Sequence, residues 1–98
     1  MATGDDDLTT LRVKIEGFVQ GVGFRHFAII EARIRGLDGW VRNVFDGTVE
    51  ILVSGPTVPV EEFIGCCMRG PTGARVTNIE LHRAEPPTRK GFSLVQTF

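Results

Sequence analysis

The chain has 98 residues, enough for one domain with a single hydrophobic core and too few for two. Its formal net charge of -1 at neutral pH supplies no positive field for a polyanion, so we expect no nucleic-acid partner. No run of residues approaches the roughly 20 apolar residues of a membrane-spanning helix, so we expect no contact with a membrane.

The N-terminus and the cysteines bear on where the protein is found. Residues 1–9 are polar and acidic where a secretory signal would be basic and then apolar, so we interpret them as a disordered tail. The domain is then predicted to span residues 10–98. Cys66 and Cys67 are adjacent, and neighbouring cysteines rarely bond to each other, so no disulfide framework is predicted. We therefore predict a cytoplasmic protein.

The first half of the chain predicts a strand, a helix and a hairpin. Apolar and polar residues alternate from Leu11 to Glu16, which is the period of a half-buried strand. After a glycine-rich loop, apolar residues recur at helical spacing until Gly36, which is placed as a helix C-cap. These apolar residues are Phe24, Phe27, Ile30 and Ile34. Residues 40–44 and 48–53 flank an Asp-Gly pair typical of a tight reversal between strands.

The second half predicts another helix and one or two strands. After Gly55-Pro56, apolar residues fall at positions i, i+3, i+4, i+7 and i+8 of a helix. These residues are Val60, Phe63, Ile64, Cys67 and Met68. A strand follows with a change of phase near Asn78, which suggests a bulge, and residues 92–98 alternate again. The order βαββαβ, with five strand-like runs if the last two are counted separately, predicts an α+β ferredoxin-like sandwich: an antiparallel sheet with two helices on one face.

The loop between the first strand and the first helix contains three glycines and leads to an arginine. Gly17, Gly21 and Gly23 permit backbone angles that turn successive amides toward one centre, and a helix start adds about half a positive charge. Arg25 offers a planar fork that matches two phosphate oxygens. The pattern is typical of a phosphate site. It is equally compatible with a tight turn beside a solvated arginine.

Other phosphate and metal motifs do not fit this chain. The loop lacks the Gly-Lys-Ser/Thr ending of a nucleotide-binding P-loop, and its glycines are not spaced as in a dinucleotide fingerprint. His26 and His82 belong to separate elements without a cysteine or carboxylate at ligand spacing, so we expect no metal and no cofactor. One residue along a helix turns a side chain by about 100 degrees, so His26 is expected at the surface, facing away from an anion held by Arg25.

Two motifs carry a resemblance to a known family. The first reads G-x-V-Q-G-V-x-F-R over residues 17–25, and the second reads G-L-x-G-W-V-R-N-x-x-D-G-x-V-E over residues 36–50. In this order and spacing they closely resemble the acylphosphatase family, and the resemblance continues through Gly55-Pro56 and residues 73–76. The chain departs from the family's usual residues at Arg35, which we expect to place its charge in water near the helix C-terminus, and at Ala28.

The resemblance implies an enzyme that hydrolyses the carboxyl–phosphate bond of an acyl phosphate to a carboxylate and inorganic phosphate by direct attack of water. It implies that Arg25 grips the phosphate and that Asn43 orients the water. The implied cradle consists of the backbone amides of Gln20, Gly21, Val22, Gly23, Phe24 and Arg25. It also implies that inorganic phosphate is a competitive inhibitor, while small size favours a monomer.

Two other functions are open to this chain. One is a non-catalytic module that binds an acyl phosphate or another anion, although such a module would have no need of a water-orienting residue at Asn43. The other is an RNA-recognition module, which shares the βαββαβ order but requires exposed aromatic residues on the middle strands and a basic face. The near-neutral charge of the chain argues against it.

Overall fold

The computed structural model describes residues 7–98, and residues 1–6 lie outside the described part. The elements in chain order are β1 (Leu8–Phe18), α1 (Phe24–Ile34), β2 (Asp38–Asn43), β3 (Val49–Pro56), α2 (Thr57–Arg69), β4 (Arg75–Arg83) and β5 (Phe92–Leu94). The predicted α+β ferredoxin-like fold is confirmed. The predicted tail falls mostly outside the described residues, but its last two residues, Leu8 and Thr9, belong to β1 and pair with β3.

The sheet has the strand order β4-β1-β3-β2-β5. The first four strands form antiparallel pairs, as predicted, whereas β5 runs parallel to β2, so the sheet is mixed. After β4 the chain does not turn back as a hairpin. Residues 84–91 instead cross to the far edge of the sheet, where β2 offers its unpaired side to β5.

The core lies between the sheet and the two helices. Val13 and Ile15 of β1 are fully buried, as their alternation predicts. In α1 the buried residues are Phe24, Ala28 and Ala32, whereas the isoleucines of the predicted apolar stripe, Ile30 and Ile34, are exposed. Phe24 is buried as expected, and two alanines take the other core-facing positions, where their small side chains allow the helix backbone to approach the sheet closely.

The second helix follows its predicted pattern with one exchange. Val60, Phe63, Ile64 and Cys67 are buried as expected, but Met68 is exposed and Cys66 is buried in its place. Both cysteines are free thiols. Burial raises the pKa of the Cys67 thiol well above its usual range, which keeps this thiol neutral and unreactive.

Arg35 lies at the end of α1 and does not extend into water as expected. Its Nη1 donates to Glu31 Oε1 at 2.8 Å, and its Nη2 donates to the Sγ atom of Cys66 in α2 at 3.5 Å. The hydrogen bond from Arg35 lowers the pKa of the Glu31 carboxyl. The arginine therefore connects the two helices.

A bulge shapes the end of β1 where the glycine-rich loop begins. Glu16 pairs with Asn78 and Gly17 with Val76, so Thr77 is the extra residue of β4, and the predicted change of phase near Asn78 is confirmed. A Cβ atom on Gly17 would lie 2.1 Å from the backbone oxygen of Arg75, and its φ is 127°. Only glycine fits where the chain leaves the sheet for the loop.

Candidate functional site

The loop between β1 and α1 presents free backbone N–H groups. Gly21 and Gly23 have φ angles of 76° and 81°, and a Cβ atom on either would meet nothing within 4 Å. Glycine is therefore needed at both positions for the left-handed backbone and not for space. Within residues 7–98, the N–H groups of residues 20–23 donate no hydrogen bond to a protein acceptor. Consecutive amides left free in such a loop form a concavity suited to an anion.

Buried side chains fix both ends of this loop. Val19 before the glycines and Phe24 after them are each 1% exposed. Val22, between them, is partly buried and packs against the core. The Phe24 ring also meets Phe27 edge-on, with the ring centroids 5.8 Å apart. The loop backbone is therefore held in one conformation before any ligand arrives.

The N-terminus of α1 adds positive potential to the loop. Its N-cap is Gly23, which offers no side-chain cap, and its first turn contains no acidic residue. The first-turn N–H groups have no acceptor within the helix, and the helix dipole places partial positive charge there. Arg25 lies in this turn, and its guanidinium forms no ion pair or hydrogen bond with the described residues. The site therefore contains an arginine that no carboxylate of residues 7–98 neutralises.

Asn43 is the last residue of β2. Its backbone oxygen accepts a hydrogen bond from the N–H of Phe98 at 3.0 Å. Its side-chain Oδ1 is buried and has no hydrogen-bond partner within the described part of the chain. A buried oxygen without a donor is costly, and such atoms occur where a water or a ligand supplies the missing hydrogen bond.

The Gln20 side chain connects the loop to the hairpin that contains Asn43. Its Nε2 donates to the backbone oxygens of Val44 and Thr48, both at 2.8 Å. The sequence assigns only the amide of Gln20 to the anion cradle, so this role of its side chain was missed. A glutamine that bridges two segments has no signature in local sequence, because its acceptors lie more than 20 residues away.

Arg25 and Asn43 both line one cavity, which has a volume of about 260 Å³. It is lined by Val19, Gly21, Gly23, Phe24, Arg25, His26, Ile29, Asn43 and Leu94. The side chains of Gln20 and Val22 are not part of its wall. His26 is exposed, as expected. It does not face away from the site, because it lines the cavity together with Arg25 at the start of α1. Among the described residues, no carboxylate lines this cavity.

Three apolar wall residues, Val19, Ile29 and Leu94, were not assigned to the site from the sequence. Ile29 follows Arg25 by four residues, a spacing that puts both on one face of α1 and could have revealed it. Leu94 reaches the cavity only because β5 lies beside β2. No local pattern predicts that pairing.

A second cavity, of about 290 Å³, lies on the sheet face opposite the helices and is unsuited to an anion. Its wall contains three bases and three carboxylates. The bases are paired as Arg12–Glu50 at 3.7 Å, Lys14–Asp46 at 3.9 Å and His82–Glu80 at 3.6 Å. Their charges compensate each other, whereas that of Arg25 is uncompensated among residues 7–98.

No helix within residues 7–98 is long and apolar enough to cross a membrane. No group of three or more histidine, cysteine, aspartate or glutamate side chains there is arranged to hold a metal ion.

The fold and the site together define a small α+β protein built to bind an oxyanion. Comparison with known proteins gives the family. The acylphosphatase family model matches residues 11–94. The acylphosphatase of Azoarcus sp. is 44% identical over 97 residues, which is 99% of each chain, and that of Acidiphilium cryptum is 51% identical over 80% of this chain and 86% of its own. The chain belongs to the acylphosphatase family, and its acylphosphatase activity follows from this homology.

Solved structures agree with the sequence comparison. The crystal structure of acylphosphatase from Bacillus subtilis superposes with a TM-score of 0.84 at 39% identity, covering 91% of this chain and 99% of that one. A full-length HypF, in its phosphate- and nucleotide-bound form, gives a TM-score of 0.85 at 30% identity, covering 93% of this chain but 12% of HypF. The same domain therefore also occurs as a small part of a larger protein.

We predict that Gln20→Met lowers the free energy of unfolding by about 2 kcal/mol, because two hydrogen bonds that join the loop to the hairpin are lost. Urea denaturation followed by tryptophan fluorescence measures the change. Gln96→Met is the matched control, since Gln96 is exposed and donates no hydrogen bond to residues 7–98. Equal stability of the two variants would contradict the bridging role of Gln20.

Proposed function

We propose that this chain hydrolyses small acyl phosphates by direct attack of water on phosphorus, with Arg25 and Asn43 as its catalytic residues. The observation that carries the proposal is Asn43, which lines the same cavity as Arg25 and whose buried Oδ1 has no partner among residues 7–98. A site that only binds an anion needs donors alone. An unpartnered acceptor beside those donors is what an attacking water needs.

In this mechanism the phosphoryl group is held by positive charge and N–H donors. The guanidinium of Arg25 binds two of its oxygens, and the amides of residues 20–25 bind the remaining lone pairs. These donors are fixed before the substrate arrives, because Val19 and Phe24 are buried at the two ends of the loop. Preorganised donors stabilise the charge that spreads over the phosphoryl oxygens in the transition state.

Asn43 orients the water in the proposed reaction. Its Oδ1 accepts one hydrogen bond from the water and thereby turns a lone pair of the water toward phosphorus. A bond forms between the water oxygen and phosphorus while the bond from phosphorus to the carboxyl oxygen breaks. The carboxylate leaves with the electron pair of that bond, and the proton of the water passes to the phosphate product or to solvent.

This chemistry does not require a strong base or a metal ion. A carboxylate is a weak base and leaves without being protonated, so the bond to phosphorus can lengthen before the water is committed. The transition state then needs its phosphoryl oxygens stabilised, which Arg25 and the loop amides can do. We propose metal-independent catalysis on that ground.

The same proposal extends to inhibition, assembly and location. Inorganic phosphate presents to the cradle the oxygens that the substrate presents, so we propose that it inhibits competitively. We also propose a monomer, given the small size of the chain, and a cytoplasmic location. The two free thiols, Cys66 and Cys67, support a reducing compartment.

We expect the purified chain to hydrolyse benzoyl phosphate in the presence of EDTA, with competitive inhibition by inorganic phosphate and no turnover of an aryl phosphate monoester. The monoester has a poorer leaving group, and among the described residues no carboxylic acid lines the cavity to protonate it. Steady-state assays on both substrates provide the measurement. Phosphate binding without turnover of benzoyl phosphate would instead favour a non-catalytic binding module.

Replacing Arg25 should abolish binding and catalysis together. In Arg25→Ala we expect kcat/KM for benzoyl phosphate to fall at least about 100-fold, because loss of a preorganised donor costs on the order of 3 kcal/mol. The inhibition constant for phosphate should weaken in parallel. Arg89→Ala, which removes an exposed arginine away from the cavity, should change neither value. Retained phosphate affinity in Arg25→Ala would refute the assignment of Arg25.

Replacing Asn43 should separate catalysis from binding. We expect Asn43→Ala to lower kcat by about 100-fold and to leave the inhibition constant for phosphate nearly unchanged, because water positioning acts mainly in the transition state. Asn78→Ala removes an exposed asparagine of β4 and is the control. If kcat and phosphate affinity fell equally in Asn43→Ala, Asn43 would be a binding residue and not a water-orienting one.

A further inference from the structure

The cavity extends beyond the residues proposed to hold phosphate and water. On one side its wall continues from Arg25 to Ile29, one turn further along the same face of α1. On the other side it continues to Leu94 of β5. Neither residue has a polar side chain, so neither has a role in gripping phosphate or orienting water.

Leu94 points toward the helix layer. Side chains two residues apart in a strand lie on the same face, so Leu94 faces the same way as Phe92. Phe92 is 2% exposed, and its ring meets that of Phe63 in α2 at a centroid distance of 5.9 Å. Leu94 is nevertheless 52% exposed. It is therefore a leucine at the open end of a cavity, where water covers about half of its side chain.

The strand that contains Leu94 is held firmly although it is only three residues long. Arg33 of α1 donates from Nε and Nη2 to the backbone oxygen of Phe92, at 3.1 and 3.0 Å. Beyond the strand, the N–H of Val95 donates to the oxygen of Val41 at 3.0 Å. These bonds tie β5 to both α1 and β2, so Leu94 and Ile29 form two fixed apolar walls.

We propose that Ile29 and Leu94 bind the acyl group of the substrate and give the enzyme a preference for apolar acyl groups, aromatic or branched, over acetyl, carbamoyl or anionic ones. The inference rests on the proposed roles of Arg25 and Asn43. With the phosphate assigned to the loop and Arg25, and the water to Asn43, the acyl group is left with the apolar part of the wall, Ile29 and Leu94.

The polarity of the remaining wall determines which acyl groups it favours. A volume of about 260 Å³ is shared by phosphate, water and the nearest part of the acyl group, and a larger acyl group continues past the half-exposed Leu94 into water. An apolar acyl group gains binding free energy by displacing water from Ile29 and Leu94. For a polar acyl group, the described wall offers one titratable side chain besides Arg25, the exposed His26. The preference is therefore set by apolar contact.

The test compares benzoyl phosphate with acetyl phosphate in the wild type and in Leu94→Ala. In Leu94→Ala, kcat/KM for benzoyl phosphate should fall about fivefold to tenfold, because the lost apolar contact is in an open cavity and not a closed pocket. The value for acetyl phosphate should change less than about twofold, and phosphate inhibition should be unchanged. Leu81→Ala, on β4, removes a leucine that is 48% exposed and does not line the cavity, and should change none of these values.

A second variant tests the same wall through an expected gain in activity toward an anionic acyl phosphate. Leu94→Lys places a positive charge where the acyl group lies, so kcat/KM for succinyl phosphate, whose acyl group carries a carboxylate, should rise at least about threefold relative to benzoyl phosphate. Misfolding cannot produce such a gain. The inference is overturned if the wild type hydrolyses these acyl phosphates and neither Leu94 variant alters the ratio of kcat/KM for benzoyl phosphate to kcat/KM for the other acyl phosphate in its test. Failure of the wild type to hydrolyse any acyl phosphate would instead overturn the proposed function.

Discussion

The side chain of Gln20 makes the contact on which the geometry of the site depends. Through Val44 O and Thr48 O it joins the loop that precedes Arg25 to the hairpin that follows Asn43. These segments come from different parts of the chain, and an error of about 1 Å in their spacing would separate a bound phosphate from a bound water. Because one amide group donates to two carbonyls, it fixes both the distance and the orientation of the hairpin.

The conformation of the loop depends on the backbone angles of its glycines and on the buried side chains at its two ends. Gly21 and Gly23 adopt left-handed φ angles in open space, so the amides they direct are free to bind a ligand. The conformation persists because Val19 and Phe24 bury their side chains on either side of it. Because the residues at both ends of the loop are buried and the glycines between them adopt the required angles, the N–H donors need little rearrangement when an anion binds.

Sequence patterns predicted most of the fold. Alternation predicted β1, and the Asp-Gly turn predicted the β2–β3 hairpin. The two motifs pointed to Arg25 and Asn43, which line one cavity, while their roles stay predictions. The errors share one cause, which is tertiary packing. After Phe24, the core-facing positions of α1 are alanines and not the isoleucines of the predicted stripe, and the bridge from Gln20 spans more than 20 residues.

The parallel pairing of β5 with β2 explains why an apolar wall lies next to Asn43, the residue proposed to orient the water. Leu94 pairs with Val41, two residues before Asn43, so β2 and β5 end at the same edge of the sheet. The crossover through residues 84–91 therefore does more than complete the sheet. It places Leu94 on the wall of the cavity, where this side chain can contact the acyl group in the proposed reaction, and so connects the topology of the sheet to the proposed choice of substrate.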